Sequence, residues 1–317
     1  MKTQFISFTA KTLSRKCVCI NNKTFASLRL CGEKWFAKWP HYLRFKNSYC
    51  YLISIIFPGM VLSSCHKDHS PEILILKNGN LTLNMEHQVD GKLLLFDSLA
   101  YTTSLGQHYM VNDLQYFISG ISLHNPDGKW MEIKDSHAIH YFDGKMPSTL
   151  QWSLGQKIPA GMYDSIAFIF GLDKEANSSN RFLNPPERDM FWPEILGGGY
   201  HYMKMNLKWK KEGMQETMPF MFHLGIGQMY SGNTANPDSI IGFIQNYFSV
   251  RLFTPVKIAY NHSVTIDIAM NVDHWFDGQN AFDFSYYPMG IMQSQLGMYR
   301  ACMNGRQAFS VEMVVSD

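Results

Sequence analysis

The side chains with the most chemistry to offer gather in two short stretches. The first, residues 190–203, reads Met190-Phe191-Trp192-Pro193, then Gly197-Gly198-Gly199, then Tyr200-His201-Tyr202-Met203. The second, residues 218–228, sets His223 among Phe220, Met221, Phe222 and Leu224. Imidazoles and thioethers without a thiolate form a donor set that suits copper. Soft thioethers favour Cu(I), whereas zinc more usually recruits a carboxylate or cysteines. A plainer reading stands beside this one: methionine is a common core filler, and a buried imidazole is often merely hydrogen-bonded. His87 and His140 lie on strand-like segments and could complete a site. His41, His66, His69, His262 and His274 read as leader, tether or surface residues.

Whether these groups meet depends on the backbone between them. Three consecutive glycines cannot form the interior of a strand or helix, because ordering costs glycine the most backbone freedom, so residues 197–199 predict a tight turn. After it, His201, Met203, Met205, Leu207 and Trp209 alternate with Tyr202, Lys204, Asn206, Lys208 and Lys210, the period of a half-buried strand. Glu212-Gly213 marks a hairpin connection. A three-residue loop over 212–214 sets Met203 opposite His223 with His201 as diagonal neighbour. All three then share one side of the sheet, at Cβ separations of about 5 Å and about 7–8 Å. A two- or four-residue loop sends the two histidines to opposite faces. The spacing allows either.

The rest of the body predicts many short strands. Residues 73–76 and 81–87 are split by Asn78-Gly79, and Leu81, Leu83, Met85 and His87 share a face. Further strands follow over 93–96, 116–123, 137–142 and 165–170, then over 239–252, 263–272 and 307–315, with turn signals between them. Residues 158–163 read as a turn and 293–303 as a helix. Residues 173–186 are polar, with Asn184-Pro185-Pro186, and form a long loop of the kind that often carries function. Strands this closely spaced, rich in β-branched and aromatic residues, argue for an antiparallel sandwich or barrel. With no repeat, low-complexity tract or internal linker, residues 76–317 are expected to be a single all-β domain.

The 317 residues carry a formal charge of +2, which hides an asymmetry. Residues 1–64 hold ten of the 28 Lys/Arg and one of the 26 Asp/Glu, leaving 18 basic against 25 acidic residues beyond. A mildly acidic body is a poor nucleic-acid binder. Residues 49–65 are an apolar run after Arg44 and Lys46, too short for a comfortable membrane span and flanked like a secretory signal. It ends in Leu62-Ser63-Ser64-Cys65, which is similar to a bacterial lipobox, so Cys65 is the expected lipidation site. Residues 1–64 then form a leader, its first forty residues reading as an overlong start, and 65–75 a lipidated tether. Five of the six cysteines (Cys17, Cys19, Cys31, Cys50 and Cys65) belong to the leader or its end, and only Cys302 lies in the body. Neither a disulfide framework nor a cysteine zinc site is possible there. There is no Gly-x-Ser-x-Gly elbow, no partner set for Cys302 and no phosphate loop after a strand, so catalysis is not expected.

The order of segments resembles the MbnP-like family over residues 76–317. The resemblance is carried by residues 81–91 and 113–119, by His140-Tyr141-Phe142-Asp143 and by residues 158–163. It continues through Phe170-Gly171-Leu172-Asp173, residues 184–187, Met190-Phe191-Trp192-Pro193, residues 197–204, His223-Leu224-Gly225 and residues 271–276. It implies an all-β sandwich that binds copper in the periplasm, with relatives among Bacteroidetes lipoproteins. In some relatives the ligands are histidines and an oxidised tryptophan, kynurenine, made by a partner di-haem peroxidase, for which Trp192 is the candidate here. The expectation is a copper-binding outer-membrane lipoprotein, periplasmic or surface-facing, that serves copper acquisition or handling. The expected metal residues are His201, His223, Met203, His87 and His140. The alternative is a module that presents residues 173–199 to a protein or glycan without metal.

Overall fold

Leu81, Leu83 and Met85 alternate with half-buried neighbours and are themselves at most 2% exposed. A slip of one residue would turn all of them to the outside, so this pattern fixes the strand's register. The strand is β1 (Asn78–Val89) of a computed structural model, which describes residues 77–317 apart from 134–137, 156–157 and 233–234. In chain order follow β2 (Lys92–Leu93), β3 (Tyr101–Thr102), β4 (Gln107–His124), β5 (Trp130–Glu132), β6 (Ile139–Asp143), β7 (Gln151–Ser153) and β8 (Ile158–Pro159). Then come β9 (Gly161–Phe170), β10 (Met203–Lys211), β11 (Met218–Leu224), β12 (Gly227–Tyr230), β13 (Ile240–Ile244), β14 (Phe248–Ile258) and β15 (Ser263–Asn271). Helices α1 (His274–Asp277) and α2 (Gln295–Gly305) precede β16 (Phe309–Ser316).

The expected all-β sandwich is present. One sheet runs β16-β15-β1-β2, with β7 and β8 also paired to β1. The other runs β11-β10-β4-β9-β14, with β3, β5 and β6 paired to β4, while β12 and β13 form a separate ribbon. Pairing is antiparallel except between β1 and β15, which run parallel in continuous register from Asn80↔Ser263 to Gln88↔Asn271. A parallel pair needs a long connection, and nearly the whole body of the chain lies between these two strands. The helix predicted over 293–303 is α2, begun by the Ser294 hydroxyl, which accepts from the Gly297 amide at 3.1 Å. The strand predicted over 93–96 stops at Leu93.

The core lies between the sheets. Tyr116 of β4 stacks on Phe142 of β6 at 5.2 Å and on Phe170 of β9 at 5.6 Å. Phe170 in turn meets Trp275 and Phe309, at 5.1 and 5.6 Å. Among the described residues no helix is long and apolar enough to cross a membrane. Cys65, the leader and the tether lie outside the described residues.

Candidate functional site

The triple glycine makes the predicted turn. Gly197, Gly198 and Gly199 have φ of 117°, 66° and 79°, a run of left-handed backbone that side chains resist. Ser179 and Asn177 of the preceding long loop hold the turn in place. The Ser179 hydroxyl accepts from the Gly199 amide at 2.9 Å, and the Asn177 side-chain Oδ1 from the Tyr200 amide at 2.8 Å. The chain therefore doubles back on itself. The Trp192 amide donates to the Gly199 carbonyl at 2.9 Å, and the His201 amide to the Met190 carbonyl at 2.7 Å.

The hairpin differs from the three-residue loop. Six residues, 212–217, join β10 to β11, and the ladder pairs Lys204 with His223 and Met203 with Leu224. An even-length loop should put His201 and His223 on opposite faces, yet their ring centroids lie 5.0 Å apart. The reason is that β10 begins only at Met203. His201 pairs with the Met190 segment instead, and the chain bends at Tyr202 before it enters the sheet. The histidine that alternation assigns to the inner face thus turns outward to meet His223.

Trp192 completes the cluster, its ring 4.6 Å from that of His201. The indole is fully buried and its Nε1 donates to the Leu196 carbonyl at 3.2 Å, while the two histidines are 6% and 7% exposed. The hydrogen bonds fix both imidazoles. His201 Nδ1 lies 2.9 Å from the Met190 carbonyl oxygen, which can only accept, so Nδ1 carries the proton and Nε2 the lone pair. Asn206 Nδ2 donates to the Asp113 carboxylate at 3.1 Å, which leaves Asn206 Oδ1 facing His223 Nε2 at 2.9 Å. His223 therefore carries its proton on Nε2. Its Nδ1 is buried without a hydrogen-bond partner. Burial pushes both rings towards neutrality, His201 to about 4 and His223 to about 3, with the neighbouring His201 and Lys204 lowering His223 further.

These features suit a metal ion. Metal–imidazole bonds of about 2.0–2.1 Å put each ring centroid roughly 3.2 Å from the ion, so two rings on one ion lie about 4.5–6.4 Å apart. The observed 5.0 Å falls inside that interval. Among the described residues no three of His, Cys, Asp and Glu are placed to hold one ion together. The MbnP family model matches residues 78–293, more than half the chain. The chain belongs to the MbnP family. A solved structure, MbnP from Methylosinus trichosporium, is similar at 17% identity over 68% of this chain and 83% of its own, with a TM-score of 0.43. No curated protein matches the chain.

Three of the residues expected at the metal lie elsewhere in this MbnP-family fold. Met203 pairs with Tyr116 and points into the core, fully buried, because the even-length hairpin puts it across the sheet from His223. His87 belongs to the other sheet, where its Nε2 lies 3.0 Å from the Tyr116 hydroxyl. His140 stacks on Trp152 at 5.2 Å, with its Nε2 held by the Thr149 carbonyl at 2.9 Å. All three serve the inner face. Sequence reasoning missed Asn206, Asp113 and Met221. Asn206 and Asp113 are direct cross-strand partners on β10 and β4, and Met221 lies opposite Asn206, two residues from His223 on the same outward face. Asn206 and Met221 stand at period-two offsets from Lys204 and His223, which is the signal in the sequence; Asp113 joins them only through the strand register.

Proposed function

We propose that this MbnP-family protein binds copper through His201 and His223, beside Trp192, and serves copper acquisition or handling outside the cytoplasm rather than catalysis. The observation that carries the reading is the buried, unpartnered Nδ1 of His223, 5.0 Å ring-to-ring from a second oriented imidazole. An unmet buried acceptor costs about 1–3 kcal/mol, a penalty that a bound metal ion removes. Neutral rings supply lone pairs, and the nearby Lys204 charge favours a monovalent over a divalent guest by simple repulsion. Under this reading Trp192 is the residue that a di-haem peroxidase partner would oxidise, giving a new polar donor beside His201. Cys65 would carry the lipid that tethers the protein to the outer membrane.

Titration of the full-length chain with Cu(I) in reducing buffer and Cu(II) in oxidising buffer tests the proposal. One equivalent should bind, with His201→Ala and His223→Ala each weakening it more than about tenfold. Binding that survives His201→Ala/His223→Ala in a folded protein, or no stoichiometric binding at all, rules the copper reading out. A second reading has its own support: Leu183, Phe191 and Ile195 of the covering loop are 73%, 43% and 63% exposed. A metal-free module that presents this loop to a partner gains if the titration is negative.

A further inference from the structure

Neutral histidine offers a metal only the nitrogen that lacks the proton, so whatever holds the proton chooses the ligand atom. At His201 the backbone makes that choice, through the carbonyl of Met190. At His223 the choice falls to a side chain on the neighbouring strand. An amide could turn either its oxygen or its nitrogen towards Nε2, and the two orientations would select opposite tautomers. Asp113 removes the ambiguity. Its carboxylate only accepts, and it sits 3.1 Å from Asn206 Nδ2, so the amide oxygen must face the ring. Lys145, 3.8 Å from Asp113 Oδ1, supports the carboxylate's charge. The chain Asp113–Asn206–His223 runs across three adjacent strands, β4, β10 and β11, on rigid ladder positions.

We infer that Asn206, clamped by Asp113, is a positioning residue that makes Nδ1 the metal-binding nitrogen of His223, while His201 binds through Nε2. The assignment deepens the copper reading and rests on it for its use, but the tautomer itself can be read in metal-free protein. A mixed Nδ1/Nε2 pair brings the ion closer to the β11 backbone than to that of His201, because Nδ1 is the nitrogen nearer to Cβ.

The experiment is long-range ¹H–¹⁵N correlation of the imidazoles in the metal-free full-length chain near pH 7, paired with Cu(I) titration. His223 should show protonated Nε2 and unprotonated Nδ1, and His201 the reverse. Asn206→Leu should give His223 a mixture of tautomers and lower Cu(I) affinity about 10–100-fold, the usual effect of losing an outer partner of a ligating histidine. The exchange of the pair, Asp113→Asn with Asn206→Asp, keeps a donor amide and an accepting carboxylate in line and leaves the formal charge unchanged. It should restore the Nε2–H tautomer and most of the affinity, which a merely structural loss of packing would not do. A native His223 protonated on Nδ1, or a folded Asn206→Leu protein with an unchanged tautomer, overturns the assignment. The expected tautomers in a protein that binds no copper uphold the lock and remove the copper reading instead.

Discussion

Along β11 the residues 219, 221 and 223 turn outward while Phe220, Phe222 and Leu224 fill the core. Met221 is therefore about 7 Å along the strand from His223 on the same face, within reach of a flexible thioether, and 38% exposed. Met289 and Met292 line the same surface cavity as Met221. Met203, by contrast, is closed into the opposite face. Met221→Leu should weaken Cu(I) binding severalfold and Cu(II) binding little, because a thioether donates well only to the softer ion. Met203→Leu should leave both affinities unchanged and, as a near-isosteric swap, cost less than about 1.5 kcal/mol of stability. Parallel titrations of the two variants decide the matter, and a Cu(I) loss confined to Met203→Leu would contradict the register.

The elements that hold the site depend on one close approach. A Cβ on Gly225, at the end of β11, would lie 2.6 Å from Cε3 of Trp192. Gly225→Ala should therefore push the indole off its seat against His201, lowering stability by about 1–3 kcal/mol and copper affinity with it. Gly213 in the hairpin loop has open space around it and only its positive φ to defend. Gly213→Ala should cost about 1 kcal/mol and leave copper untouched. Urea unfolding with copper titration separates the two, and equal behaviour would show that Trp192 does not support the site. The same elements show why the sequence was legible in part. Alternation gave β1, β10 and the inward set Met203, Met205, Leu207 and Trp209, and three glycines gave the turn, because both signals are local. The register was not local. It depended on whether Lys211 ended its strand before a three- or a six-residue loop, and Glu212-Gly213 marks the start of either. The position of His201 depended on a bend at Tyr202, enforced by hydrogen bonds to Met190, eleven residues upstream. The spacing left the loop length open; the even-length connection and the late start of β10 act in opposite senses, and together they put the two histidines side by side.

Among the described residues, three histidines are less than a tenth exposed and held neutral: His201 and His223 on the outer face of one sheet, and His87 between the sheets, where burial lowers it to about 4 despite the nearby Asp143 charge. In the unfolded chain each returns to about 6.5. Between pH 6.5 and 4 the unfolded state therefore binds protons that the folded state refuses. The sign follows: stability is fully present above pH 6.5 and is lost as pH falls, until the folded rings protonate near 4 for His87 and His201 and near 3 for His223. Each group contributes up to about 1.4 kcal/mol per pH unit inside its window. Asp273, raised by burial, works in the opposite sense, but a carboxyl acts mainly at the acid end of this range. Urea unfolding of metal-free protein should give constant stability from pH 8 to 7 and a decline that steepens below 6.5. His87→Gln should make the decline shallower by about one group's share, and His201→Gln/His223→Gln by about two. His87 is the internal control, because it is bonded to Tyr116 on the inner face and away from the candidate site. A pH-independent stability down to 4.5 would mean that these rings are solvated, and with that the buried lone pair on which the copper reading stands would be lost.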